Sequence, residues 1–545
     1  MDDRAAEYIR RFDKADEARG NWKSRWQSIG DYIHPIRGDI TSEKSPGSSR
    51  HTLIYDDTAQ QASDILVAGL FSYLTSPYMP WFRPIPRDSE MLKDRNASLW
   101  LQDSENRMYT MFAISNFYNA MATLYGDLIN INHAIMYTEE NEREKKLSFM
   151  NVSPRDAVIF ENAFGKVDTV IRTLTLTARQ AEQKFGEKMG RTATELIKDD
   201  KPDELVTYLH SVKPRTDHNA LKKDAKNLPY ESVYIDKKDK AVIDEGGYHE
   251  FPYVVPRWST YTNDVYGSCP SISALNNVKT LNKFMELLIK QGEVAVNPPV
   301  QVSPGFKDRI KTMPGGLNVK ARKDDSIDPI ITVGRIEITD KLIEDLRNQI
   351  RERYFVSTFL MISQLTQRMT AYEVSQRENE KMMMLGPAIG RITDECLGPL
   401  IDRCFGIMMR GGYFLPMPAI LMETELDVEY LSPLARAQKA VQAGSIDRLI
   451  AFMAPLAQLY TDIPDNLDSD EALRFYGDTF GVPKQIMRGM EEMKKMRQAR
   501  AQMQQQEVMR QQMLEATEGI KSIAEADQAA TGDQSIMQQL MGGML

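Results

Sequence analysis

Apolar residues recur at three- and four-residue spacing near the start of the chain. Tyr8, Phe12, Ala15, Trp22, Trp26 and Ile29 form one stripe among charged neighbours, the signature of helices with one buried face. A polar stretch over 41–50 reads as a loop, and two further helices are predicted over about 56–76 and 96–138. From about 144 to 265 the period changes. Val167 to Leu176 is rich in Val, Ile and Thr, while Val233-Tyr-Ile and Ala241-Val-Ile flank Asp236-Lys-Lys-Asp-Lys240, a hairpin signal. This zone predicts a small α+β part.

The next zone carries the most information. Pro270 sits where a first-turn proline belongs, and Ile272, Leu275, Val278, Leu281, Phe284 and Leu288 continue a helix to Gly292, about 30 Å long. A Pro/Gly-rich excursion follows (Asn297-Pro-Pro299, Pro304-Gly305, Pro314-Gly-Gly316), with short strands expected near Val300 and Ile330. A second helix starts near Thr339 and repeats at Leu342, Leu346, Ile350, Tyr354 and Phe359. The pair reads as two struts holding out a compact head. An uncharged stretch, Ser357 to Gln367, ends at Arg368. A helix of roughly 40 residues is then expected over Thr370–Arg410, bent at Gly386-Pro387 and Gly398-Pro399.

The last zone is helical again. Pro433 opens one helix, and Asp468-Ser-Asp-Glu471 has capping-box form for another. From about Ile486, 10 of the 31 Met and many Gln fill a long helix that decays after Gly519. Met at helical spacing favours adaptable helix-to-helix packing, and interleaved Gln suits a helix that meets copies of itself.

Composition narrows the function. The chain has 545 residues, 42% of them hydrophobic, enough for several packed cores. Lys and Arg number 68 against 77 Asp and Glu, a formal charge of −9, so a protein that grips DNA by neutralising phosphates is not expected. Three cysteines (Cys269, Cys396, Cys404) supply neither a disulfide framework nor a C-x-x-C pair. The start lacks the apolar core of a secretory signal, and the uncharged stretches Ile65–Phe82 and Met108–Gly126 read as core helices rather than membrane spans.

Candidate chemistry is sparse. Gly165-Lys166 lacks the rest of a phosphate loop, and His249-Glu250 has no second His for a zincin. Cys396 and Cys404 have no nearby His and read as buried thiols. Asp465, Asp468 and Asp470 lack the spacing and Gly of a calcium loop and read as caps. Trp22 and Trp26 could stack on bases, but their helical spacing assigns them to a core. No enzyme activity, cofactor or metal is expected.

Several blocks carry a resemblance. Tyr253-Val-Val-Pro-Arg-Trp258, Tyr266-Gly-Ser-Cys-Pro270 with Lys279-Thr-Leu-Asn282, Met369-Thr-Ala-Tyr-Glu-Val-Ser-Gln-Arg377, Pro433-Leu-Ala-Arg-Ala-Gln438 and Asp478-Thr-Phe-Gly-Val-Pro483 resemble the head-to-tail connector (portal) proteins of short-tailed bacteriophages. So do Asp156–Gly165 followed by Val167–Arg172, and Pro80-Trp-Phe82. The match spans roughly residues 20–500 in the family's order.

The resemblance implies a mainly α portal-type fold with a smaller α+β part, assembled as a dodecameric ring around a DNA channel at one capsid vertex. It divides the chain into a wing (1–267), stem helix 1 (268–296), a clip (297–338), stem helix 2 (339–358), a tunnel loop (359–369), a long bent wing helix with its following strand (370–429), a crown (430–488) and a C-terminal barrel helix with a tail (489–545). The implied partners are copies of the chain, double-stranded DNA held without sequence preference, the terminase large subunit, tail adaptor or nozzle proteins, and the major capsid and scaffolding proteins. No membrane is implied. The protein would sit in the virion, after assembly in the host cytoplasm. The remaining alternative is an unrelated helical oligomeric scaffold or a cryptic hydrolase.

Two groups of residues receive roles on that architecture. In the tunnel loop, Ser363, Gln364, Thr366 and Gln367 offer neutral hydrogen-bonding groups to phosphates, and Arg368 adds one positive charge per copy. The alternative is that Arg368 pairs with Glu373 or Glu378. In the clip, Lys307, Arg309, Lys311, Lys320, Arg322 and Lys323 form a basic patch for the motor or adaptor, or else a solvated face.

Overall fold

The computed structural model describes residues 3–529 apart from 43–44, 46, 51–52, 142, 218–223, 263, 297–298, 305–322, 325, 330–335, 361–383, 423, 432, 458–459, 461–465, 480–481 and 483–485. The described chain is mainly helical and divides into two compact units: residues 1–84, 104–415 and 428–441, and residues 85–103, 416–427 and 442–545.

The chain opens with α1 (Asp3–Ala18), α2 (Gly20–Tyr32), α3 (Thr58–Leu74), β1 (Phe82–Pro86), α4 (Arg95–Ile114) and α5 (Phe117–Ile131). Strands β2 (Ile135–Asn141) and β3 (Lys146–Val152) join β9 (Tyr253–Val254) in the order β3-β2-β9. A second sheet runs antiparallel in chain order through β4 (Ala157–Glu161), β5 (Val167–Thr177), β6 (Leu205–Pro214), β7 (Tyr230–Asp236) and β8 (Ala241–Tyr248), with α6 (Ala178–Phe185) and α7 (Arg191–Lys198) between β5 and β6. The β7–β8 hairpin pairs Asp236 with Ala241, as expected from the sequence.

Side-chain alternation lets this sheet pack on both faces. Val158, Ile171, Leu209 and Val233 lie against Tyr8, Ile9 and Phe12 of α1, while Ile159, Val170 and Val212 turn the other way into a core with Trp22, Trp26, Ile135 and Tyr137. The two Trp are thus core residues; Trp26 is 1% exposed and packs on His133 and Tyr266.

The single helix expected over 96–138 is three elements. It breaks at Ser115-Asn116 because the Asn116 amide pairs with the backbone of Phe149 in β3, donating to its carbonyl (2.7 Å) and accepting its N–H (3.0 Å). It ends at Asn132, which adopts φ 85°, before β2 begins.

Next come α8 (Pro270–Val296), the paired strands β10 (Val300–Val302) and β11 (Ile327–Pro329), α9 (Ile336–Arg353) and α10 (Val356–Leu360). Helix α8 runs past Gly292, an interior Gly costing about 1 kcal/mol relative to Ala. Helix α9 starts ahead of Thr339 and stops at Arg353, where Phe355 takes a left-handed φ of 55° and breaks the expected single helix to 358. Phe359, expected to open a loop, lies in α10 with its ring against Gly69 of α3.

The helix leading to Arg410 is described from residue 384. It runs as α11 (384–392), a π turn (Thr393–Leu397) and α12 (Gly398–Arg410). Pro399 has no N–H for the Glu395 carbonyl, so the irregularity falls where Gly398-Pro399 predicts it.

Beyond α13 (Ala419–Met422) and β12 (Leu426–Tyr430) come α14 (Pro433–Ala457), α15 (Ser469–Thr479) and α16 (Met490–Ala529). In the second unit the Asp468 carboxylate caps α15, accepting the N–H groups of Asp470 (3.0 Å) and Glu471 (3.1 Å). Asp447 accepts the Tyr476 hydroxyl at 2.6 Å, and Arg497 pairs with Asp470 at 2.6 Å. Helix α16 continues ten residues beyond Gly519, further than its composition predicts.

Candidate functional site

Helices α8 and α9 are fastened to the helices packed against them by two polar chains. On α8, the Asn282 amide oxygen accepts the backbone N–H groups of Tyr55 (2.6 Å) and Asp56 (3.1 Å). Asp56 accepts Thr58 N–H at 3.0 Å, at the start of α3, and pairs with Arg347 of α9 at 2.8 Å. The second chain starts at Ser63 of α3, which exchanges hydrogen bonds with Asn130 of α5. Ser271 of α8 donates to Asn130 (2.7 Å) and meets the Tyr354 hydroxyl at 2.7 Å. Ser63, Asn130, Ser271 and Tyr354 are all buried, so these hydrogen bonds fix the relative depth of α3, α5, α8 and the chain just past α9.

A second fastening centres on Arg257, from the block Tyr253–Trp258. Its side chain is 1% exposed and holds Glu395 in the π turn with Nη2 at 2.7 Å and Nε at 3.2 Å; its backbone N–H adds a bond at 3.0 Å. It also pairs with Glu161 at the end of β4 and donates to Gly165 O at 2.8 Å in the β4–β5 turn. Burial works against the guanidinium charge, but Glu395 and Glu161 outweigh it and raise the Arg257 pKa. Glu250 repeats the device lower on the helix, bound by both nitrogens of Arg410 (2.5 and 2.7 Å) and by Arg403 (2.9 Å). A Cβ at Gly406 would sit 2.3 Å from the Glu250 carboxylate and press on this clamp. The Glu of the rejected His249-Glu250 motif therefore clamps a helix. Between these fastenings lies a cleft of about 380 Å³, walled by Tyr230, Phe251, Tyr253, Val255, Glu395 and Pro399.

Cys269, Cys396 and Cys404 are buried, and burial pushes the Cys269 thiol up to about 12. His133 and His210 are buried and held neutral by desolvation, the former with a pKa pushed down to about 3. Among the described residues no group of His, Cys, Asp or Glu is arranged to hold a metal ion, and no helix is long and apolar enough to cross a membrane.

A family model described as "Bacteriophage head to tail connecting protein" matches residues 5–487. The chain belongs to that family. This bears out the resemblance carried by the sequence blocks. Among similar proteins, the "Portal protein" of Salmonella phage epsilon15 is 31% identical over 533 residues, covering 95% of this chain and 94% of the relative. The "Probable portal protein" of Bordetella phage BPP-1 is 30% identical over 479 residues, 86% of each chain.

Of the connector's sequence-predicted site residues, Ser363, Gln364, Thr366, Gln367 and Arg368 lie outside the described residues, as do Lys307, Arg309, Lys311, Lys320 and Arg322. Lys323 lies exposed in a turn. Sequence reading missed Asp56, Asn282, Arg347, Glu250 and Glu395. Asn282 stood inside a quoted block, and Glu395 precedes Gly398-Pro399 by three residues; nothing in the spacing tied either to its partner, because those contacts span 138 to 227 residues.

Proposed function

We propose that this connector is a portal protein: a homododecameric ring at one capsid vertex, a passive channel for genome packaging and ejection, and a docking hub for the terminase large subunit and the tail adaptor or nozzle proteins. The major capsid and scaffolding proteins are its other neighbours. The observation that carries the reading is similarity along nearly the whole chain to relatives named as portal proteins. It works in the virion, after assembly in the host cytoplasm.

The local physics supports it. Paired stem helices held by buried polar chains make a stiff strut. Helix α16 exposes Met503 (69%), Met509 (71%) and Met513 (76%), an apolar face that copies of itself would cover. Twelve copies would carry a net charge of about −108, so DNA in the channel would be weakly repelled rather than gripped. On this reading the part of the 359–369 stretch beyond α10 faces the duplex, with Ser363, Gln364, Thr366 and Gln367 as neutral contacts and Arg368 as one ring of positive charge. Lys307, Arg309, Lys311, Lys320, Arg322 and Lys323 meet the motor or adaptor. Force comes from a separate ATPase.

Negative-stain microscopy of the purified chain tests the ring: particles with a central hole are expected, and a folded monomer at micromolar concentration contradicts it. Packaging by proheads carrying Arg368→Ala tests the loop, where wild-type retention of full-length DNA would clear Arg368 of the role.

A further inference from the structure

The two uncharged stretches of the sequence, Ile65–Phe82 and Met108–Gly126, come together in the fold. The Phe71 ring on α3 packs edge-on against Tyr118 on α5, with centroids 6.4 Å apart. Their inner faces are core: Leu66, Leu70 and Leu74 are buried, as are Phe112, Phe117 and Met121. Burial accounts for those faces only. A helix face that meets water ordinarily carries charged or polar side chains. Here Ala68 and Pro77 are exposed, Met79 is 49% and Tyr78 92% exposed, and neither stretch holds a charge.

Tyr78 is displayed on a stiff loop. Pro77 and Pro80 each fix a backbone angle, and the Ser76 hydroxyl accepts the Tyr78 N–H at 3.3 Å. The far end is held by the Tyr109 hydroxyl, which accepts the N–H groups of Trp81 (2.7 Å) and Phe82 (2.8 Å). An exposed aromatic on an ordered loop loses little entropy on binding, which is the character of an interface anchor.

Elsewhere in the same unit lies a cleft of about 470 Å³ with matching chemistry. Trp258 and Phe355 wall it, Ser259, Ser273 and Gln349 supply hydroxyl and amide groups, and Glu352 lies beside Arg353, so its charges balance. Phe355 lines it at a left-handed φ of 55°, a costly conformation for a bulky residue. The chain's own Tyr78 does not fill this cleft. The cleft adjoins Tyr354, which is tied through Ser271 and Asn130 to Ser63 near the start of α3. Tyr78 stands beyond the other end of that helix, and Ser63 to Leu74 alone is about 16 Å of helix.

We propose that Tyr78 of one copy seats in the Trp258–Phe355 cleft of the next, its ring between the two aromatics and its hydroxyl on Ser273, Gln349 or Glu352. The contact rests on the ring reading and supplies one of the joints between neighbouring subunits. Two chains that each carry a net charge of −9 repel one another. A joint between an uncharged knob and a charge-balanced cleft adds nothing to that repulsion. With knob and cleft at different places on one chain the contact is heterologous, the kind that propagates around a ring.

The experiment uses the full chain carrying Met79→Cys beside the knob and Ser273→Cys on the cleft wall, treated with a short bis-maleimide. The native cysteines are buried and give little background. The double variant should yield a ladder of covalent oligomers, and a mixture of the two single variants should stop at dimers. Met79→Cys cross-linking to itself would make the contact two-fold and overturn it. A freely labelled thiol at 79 in assembled particles would show this face open to solvent or to a different partner, and overturn it too. Tyr78→Ala and Phe355→Gly should each raise the concentration needed for assembly about tenfold or more. Both should leave the subunit folded, since Tyr78 is exposed and glycine suits a left-handed φ. Together they should cost no more than either alone, because they remove one shared contact; independent effects overturn the pairing. A parent chain that sediments as a folded monomer defeats the ring reading and the joint together, whereas full-sized assemblies without a ladder defeat the joint alone.

Discussion

The side-chain oxygen of Asn282 accepts the backbone N–H of Asp56 at 3.1 Å, joining the middle of α8 to the segment that leads into α3. The same oxygen takes the Tyr55 N–H, so one amide satisfies two backbone donors of the non-helical segment ahead of α3. Asn282→Ala should therefore cost about 1–3 kcal/mol, the penalty for stranding buried donors. Thermal unfolding of the full chain measures it. An unchanged midpoint would mean that water replaces the amide.

Two buried carboxylates should make stability depend on pH in opposite directions. Burial pushes Asp56 up, but hydrogen bonds from Thr58 and Arg347 outweigh it, leaving its pKa below the usual 3.8. Such a group stabilises above its unfolded pKa and loses that contribution as pH falls through its folded value, below about pH 4. Asp127 has Arg37 at 3.1 Å, yet its burial wins and pushes its pKa up to about 7. The folded chain then binds that proton more tightly than the unfolded chain, and stability falls as pH rises from about 4 to about 7. Asp56→Asn should flatten the acid limb and Asp127→Asn the neutral one, both read by unfolding midpoints across pH.

Gly69 faces the ring of Phe359, and a methyl there would lie 2.5 Å from it. Gly69→Ala should destabilise by about 1–3 kcal/mol, the usual cost of overpacking. Adding Phe359→Leu should recover part of that loss, because the two changes share one contact. Simple additivity would show that α3 and α10 shift apart instead.

Met509→Asp with Met513→Asp places two charges on the exposed face of α16. Solvated in a single chain, these charges should leave its unfolding free energy within about 0.5 kcal/mol of the parent. Within a helical barrel they would be buried together. Sedimentation should show ring closure failing while the subunit stays folded; intact rings would place the barrel contact elsewhere.

Local chemistry determined much of this protein from sequence alone. The stripe Tyr8, Phe12, Trp22 and Trp26 announced its helices and its core, the β7–β8 hairpin followed from its turn residues, and Pro270 and Asp468 marked helix starts. Each of these signals acts within a few residues, where spacing and capping are readable. Tertiary structure decided the rest. Asn116 ended a helix because Phe149 offered it a strand to pair with, and Phe355 took φ 55° between residues buried on either side. Arg257 found Glu395, and Arg347 found Asp56, across 138 and 291 residues. No periodicity encodes such pairs. They exist because a buried charge or N–H must have a partner, and only the folded chain determines which partner is within reach.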